Sequence, residues 1–228
     1  MSTEWLLGLA EIILVNIVLS GDNAVVIAMA CRNLKPEQQK KAIFWGTFGA
    51  VGLRLVLTFV AVWLLRIPMV EAMGGLLLLY IAIKLLFGKE EEEIDKGGLS
   101  IGQAVKTIVV ADVVMSLDNV VAVAGAANGD WLLIGVGLGV SIPLIVWCSR
   151  LLTNLMKRFP IIVVLGAGLL GYTSGEMIVS DEVVRQWVQP WLAGLHNVVP
   201  IAFAAGILIV GVLRAQQSRR RKPVEGNS

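Results

Sequence analysis

At 228 residues, with a hydrophobic share of 57% and a mean hydropathy of +0.80, the chain is too apolar for a water-soluble domain, whose apolar share is usually about 45–50%. Its formal net charge of only +2 does not describe a nucleic-acid-binding surface. Two cysteines, Cys31 and Cys148, support neither a disulfide framework nor a thiolate cluster.

Apolar runs long enough to cross roughly 30 Å of hydrocarbon fall at 5–30, 42–65, 70–87, 101–127, 131–152, 161–179 and 198–213. The sequence therefore predicts an all-α, polytopic membrane bundle of seven transmembrane helices in a single domain, 1–217, followed by a basic tail, 218–228. The first run is preceded by Glu4 and no basic flank, so it reads as a first span and not as a cleaved signal peptide. Arg32, Lys35, Lys40 and Lys41 follow span one, Arg150, Lys157 and Arg158 follow span five, and Arg214, Arg219, Arg220, Arg221 and Lys222 follow span seven. Basic residues of short connections stay in the cytoplasm, which predicts an external N-terminus and a cytoplasmic C-terminus. The acidic "GKEEEEIDKGG" after span three then also lies inside, as a solvated linker, and the basic tail is an inside anchor rather than a nucleic-acid site. The last external connection carries Trp187 and Trp191 four residues apart, the spacing of a helix lying on the outer leaflet. His196, the one histidine, falls in that connection.

The chain repeats itself. A shift of 96 lays "NIVLSGDNAVVIAMA" on "DVVMSLDNVVAVAGA", pairing Asn16 with Asp112, Ser20 with Ser116, Asp22 with Asp118 and Asn23 with Asn119. A shift of 92 pairs Pro68 with Pro160, Gly74 with Gly166, Leu77 with Leu169 and Tyr80 with Tyr172. Spans one to three (about 5–87) thus form one unit, spans four to six (about 101–179) a second, and span seven is an addition. An odd number of spans per unit makes the second copy enter the membrane from the opposite side, so the repeat is inverted. In transporters of that construction, polar residues of the two units meet near the midplane.

On a regular helix Asn16, Ser20 and Asn23 share one face, as do Asp112, Ser116 and Asn119. Asp22 and Asp118 stand roughly 100–120° away from those faces unless the chain unwinds locally, which Gly21 permits and Leu117 does not. Helix packing alone accounts for small residues and Ser in such a seam. It does not account for carboxylates, each of which costs roughly 2.5–3.5 kcal/mol at bilayer depth on insertion scales. Carboxylate, amide and hydroxyl oxygens together suit a hard divalent cation, and with no His or Cys near them a Zn²⁺ or Cu⁺ site is not expected. The candidate ligands are Asp22, Asp118, Asn23, Asn119, Asp112 and Asn16.

Further charges accompany them. Arg54 is central in span two, Glu11 lies on nearly the face of Asp22, and Lys84 and Glu176 occupy equivalent positions in the two third spans. Arg54 and Lys84 are candidates to neutralise carboxylates when no cation is bound, and Lys84 with Glu176 to pair across the pseudo-axis. A fixed ion pair that orders the bundle is the alternative for each. Absence of a Lys in span seven excludes a retinal Schiff base, and absence of intramembrane His argues against haem.

The paired "SGDNAVVIA" and "SLDNVVAVAGAA" in a duplicated seven-span chain resemble the TerC family of integral membrane proteins, and the compact length looks like its YjbE-type branch. The resemblance covers all the spans. It implies a multi-pass protein of the bacterial inner membrane, related to the LysE transporter superfamily and associated with manganese efflux and metal homeostasis. The family's acidic motif falls on Asp22, Asn23, Asp118 and Asn119. The older association with tellurium fits these residues poorly, since carboxylates repel the tellurite anion. The expectation is a non-enzymatic exporter of Mn²⁺, with the ion as cargo and no tightly bound cofactor. Its partners are the lipid bilayer and the metal ion, without nucleic acid. Two alternatives stay open: a membrane scaffold supporting metal loading of secreted enzymes, and an intramembrane aspartyl protease, although "LSGD" and "MSLD" lack the G-x-G-D pattern of such proteases.

Overall fold

The computed structural model describes residues 21–64, 67–88, 101–126, 131–188 and 195–220, together with Gly8, Ala10 and Leu14; within helices the side chains of 59, 61–63, 118–126, 131, 133–134, 138, 188, 195–196 and 215–220 are not described. Every regular element among the described residues is a helix: α1 (Gly21–Cys31), α2 (Pro36–Leu64), α3 (Val70–Phe87), α4 (Ile101–Ala126), α5 (Trp131–Arg158), α6 (Ile161–Ser180), the short α7 (Glu182–Val188) and α8 (Leu195–Arg220). The all-α membrane bundle is therefore what the chain forms. Among the described residues, five helices are by length and composition able to cross a membrane, at Pro36–Thr58, Val70–Phe87, Gly135–Arg158, Ile161–Ser180 and Asn197–Arg214. Their outward faces carry Phe44, Trp45, Phe48, Leu76, Leu77, Trp147 and Ile209, all exposed, as contact with lipid tails demands.

Three helices run past the apolar stretches that predict them. α2 starts six residues earlier, at Pro36, whose missing N–H suits the first turn of a helix. α5 continues to Lys157 and Arg158, cations that complement the negative end of its dipole. α8 begins at Leu195, so His196 belongs to the last helix and not to the connection before it. Of the expected outer-leaflet segment, α7 with exposed Trp187 is present, while Trp191 lies outside the described residues.

Packing directions follow from residue contacts. α2 and α4 run parallel, with Gly46 against Ile108, Gly49 against Val109, and Arg54 against Asp112 and Ser116. α3 and α6 run antiparallel: Ala72 meets Asp181, whereas Gly75 meets Ser174. Their approach is close, because a Cβ at Gly75 would lie 2.7 Å from the Ser174 carbonyl oxygen. The Ser174 hydroxyl donates to the Gly75 carbonyl at 2.5 Å, tying the two third helices directly. α8 lies antiparallel on α6, with Leu208 over Gly168, Pro200 over Gly175 and Val164 under Gly211.

The contacts between the units form the matched set that an inverted repeat requires. α2 packs on α4, its counterpart α5 packs on α1, and α3 packs on its own counterpart α6. The register of the α3–α6 pair brings positional mates together only near Leu78 and Leu170, both 0% exposed. The apolar core is continuous across the units, joining Val26, Met29, Leu78, Met115, Leu170 and Met177.

Candidate functional site

Arg54 sits in the middle of α2 with 2% of its surface exposed, a position that a guanidinium tolerates only when paired. Its Nη2 lies 2.5 Å from Asp112 Oδ1 and its Nε donates to Ser116 Oγ at 2.9 Å. Ser116 Oγ in turn donates to Asp112 Oδ2 at 3.3 Å. Asp112 and Ser116 stand four residues apart, one helical turn, so α4 presents both to α2 from a single face. Asp112 is 7% exposed and Ser116 0%. The Thr58 hydroxyl returns to the Arg54 carbonyl at 2.8 Å, satisfying a backbone group in the turn beside the guanidinium. Both carboxylate oxygens and the hydroxyl are used in this network.

The first unit presents something different. Asn23 is 3% exposed, yet neither its Oδ1 nor its Nδ2 has a hydrogen-bond partner among the described residues. Leaving a buried amide unpaired costs about 1–3 kcal/mol. Its backbone N–H donates to Asp22 Oδ1 at 2.8 Å, so the carboxylate of half-buried Asp22 folds back on the first turn of α1. α1 packs on both α4 and α5, which brings the first unit's motif against the second unit.

Four of the residues expected at the site are thus placed in one polar region, Asp22, Asn23, Asp112 and Arg54, with Ser116 joining them. Asn16 and Glu11 lie outside the described residues, as do the side chains of Asp118 and Asn119. Among the described residues no three His, Cys, Asp or Glu side chains come together, so the described carboxylates there are Asp22 and Asp112. α1 is helical from Gly21 onward, and α4 is continuous through Leu117.

The pairing of Lys84 with Glu176 is not made. Both are exposed, and neither forms an ion pair among the described residues. The antiparallel register explains it: Gly75 lies level with 174–178, so Lys84 lies level with about residue 167, some nine residues or roughly 13 Å along α6 from Glu176.

A residue that the sequence reading did not single out is Asp181, 3% exposed at the end of α6. Its Oδ1 accepts the N–H groups of Val183 at 3.0 Å and Val184 at 3.4 Å, capping α7, and its Oδ2 accepts the N–H of Ala72 at 3.2 Å in the first turn of α3. One carboxylate thus serves the first turns of both α7 and α3. An Asp directly before "EVVR" is a legible cap signal, but its second helix is not.

Comparison with known proteins places the whole chain. The pattern of the "Integral membrane protein TerC family" matches residues 1–222. The chain is 41% identical over 216 residues to the "Uncharacterized membrane protein YjbE" of Bacillus subtilis, covering 95% of this chain and 99% of that protein. It is 26% identical over 163 residues to YkoY of the same organism, covering 63% of this chain and 50% of that protein. It is 28% identical over 178 residues to the "UPF0053 protein YegH" of Escherichia coli, covering 69% of this chain and 34% of that protein. No solved structure matches.

Proposed function

The chain belongs to the TerC family of integral membrane proteins, and on that premise we propose that it is a carrier exporting a hard divalent metal ion through carboxylate and amide ligands between its two inverted units. The observation that carries this reading is Asn23, whose side-chain amide is buried and unpartnered in the same helical turn as Asp22. A polar group kept at such a cost is explained by a ligand that satisfies it. Amide carbonyl and carboxylate oxygens suit Mg²⁺, Ca²⁺ or Mn²⁺, and the described thiol of Cys31 stands nine residues from Asp22, at the other end of α1. Mn²⁺ among these ions follows from the family resemblance. Asp118 and Asn119, the repeat mates of Asp22 and Asn23, supply the second half of the ligand set in this reading.

The proposed setting is the bacterial inner membrane, with the N-terminus outside and the basic tail in the cytoplasm. The ion is cargo, so neither a resident cofactor nor an enzymatic reaction is proposed. The test is flux through purified protein in liposomes, offered Mn²⁺, Ca²⁺, Mg²⁺ and Zn²⁺ in turn. Mn²⁺ movement that Asp22→Asn abolishes supports the carrier. A folded protein that moves none of the four ions overturns it and leaves the scaffold reading in its place.

A further inference from the structure

We propose that Arg54 is a tethered counter-cation that occupies the Asp112 end of the site in the empty carrier, and that the entering divalent ion must displace it; this rests on the carrier reading above. The guanidinium stands where a cation held by Asp112 and Ser116 would stand, 2.5 Å from the carboxylate and 2.9 Å from the hydroxyl. A guanidinium keeps its proton under all conditions in which proteins work, so Asp112 remains compensated without borrowing a proton or a cation from solution. Two cations cannot share one buried carboxylate, because their repulsion grows as screening falls. Binding at Asp112 is therefore an exchange, not an addition.

The exchange sets selectivity by charge. Attraction to a carboxylate scales with the charge of the ion. A monovalent ion gains no charge on replacing the guanidinium and competes with a group tethered at roughly millimolar or higher effective concentration. A divalent ion doubles the attraction. Arg54 thereby excludes Na⁺ and K⁺, which outnumber any divalent ion in the cell, while admitting the cargo. Its long stem lets the head swing aside while the backbone stays in α2.

The experiment measures Mn²⁺ binding by calorimetry on purified full-length protein, wild type and Arg54→Gln, in isotonic choline and then in isotonic sodium. The inference expects Arg54→Gln to bind Mn²⁺ at least about tenfold more tightly in choline, since a tethered competitor has gone. It also expects sodium to weaken binding in Arg54→Gln and not in the wild type. Equal or weaker Mn²⁺ binding by a monodisperse Arg54→Gln overturns it and makes Arg54 a fixed clamp between α2 and α4. Should Arg54→Gln fail to fold, Arg54→Lys serves: it keeps the charge without the fork to Ser116, and tighter Mn²⁺ binding with sodium still excluded is the expected result, unchanged or weaker binding the overturning one. A wild type that binds Mn²⁺ in neither salt removes the carrier reading itself, an outcome distinct from failure of the exchange.

Discussion

Asp112 and Asn23 are both buried polar side chains of the duplicated motif, yet Asp112 uses both carboxylate oxygens on Arg54 and Ser116 while Asn23 uses neither end of its amide. Charged groups at membrane depth fold only when compensated, and the second unit compensates its own by reaching across to α2. The first unit leaves its amide open beside Asp22. One half of the region therefore stabilises the bundle, and the other costs it stability. If that contrast is real, substitutions on the two sides must move stability in opposite directions.

The largest effect belongs to Asp112→Ala. It strands the Arg54 charge in the core, and losing one partner of a buried pair costs about 3–5 kcal/mol. Denaturant unfolding in detergent reads it. Replacing both partners together, Arg54→Met with Asp112→Leu, should recover most of the loss, because no uncompensated charge remains. A single variant as stable as the wild type would show that the pair is not formed.

Next comes Asp22→Asn, which keeps the shape but removes a charge from the open side. Mn²⁺ efflux from loaded cells should fall at least about tenfold, which is roughly 1.4 kcal/mol in binding terms, while unfolding stability changes by less than about 1 kcal/mol. Combining it with Asp118→Asn should add little, since residues of one site act non-additively. Full efflux from Asp22→Asn at normal membrane levels would end the carboxylate-site reading.

Asn23→Leu is the sharpest test of the contrast, though its effect is smaller. Removing an unpaired buried amide should raise stability by about 1 kcal/mol, since such a group costs about 1–3 kcal/mol, while efflux drops several-fold. Destabilisation together with normal efflux would mean that Asn23 is an ordinary packing residue.

The apolar runs announced Val70–Phe87, Ile101–Ala126 and Ile161–Ser180 to within one residue, because lipid imposes one long pattern that a single sequence displays, whereas the polar extensions of the other helices carry no such pattern. The one-turn spacing of Asp112 and Ser116 was equally legible, being a property of one helix. That Arg54 would answer Asp112 was visible only as a central charge needing a carboxylate, since its choice depends on how α2 lies along α4. The second bond of Asp181, to Ala72, lay beyond reach for the same reason: it joins residues 109 apart and records an angle between helices. Lys84 and Glu176 show how symmetry misleads. Positional mates meet where the pseudo-axis passes, near Leu78 and Leu170, and they separate on either side of it at twice the helical rise per residue.

That separation makes the smallest prediction a useful control. Lys84→Gln and Glu176→Gln, alone or together, should leave unfolding stability within about 0.5 kcal/mol of the wild type, as expected for exposed residues without partners. Both lie at the periphery of the α3–α6 pair, away from Arg54 and Asp112, so Mn²⁺ efflux should also stay close to normal. The decisive comparison is the charge reversal, Lys84→Glu with Glu176→Lys. If these residues paired across the axis in a state that the protein visits, each single reversal would impair efflux and the double reversal would restore it. If the register of Gly75 on Ser174 persists through the transport cycle, the double reversal offers no rescue, because the two side chains stay roughly 13 Å apart along the helices whichever charge they carry. Rescue would therefore mean that α3 slides along α6 by more than one helical turn, breaking the Ser174 hydrogen bond to Gly75 and the Asp181 cap on α3.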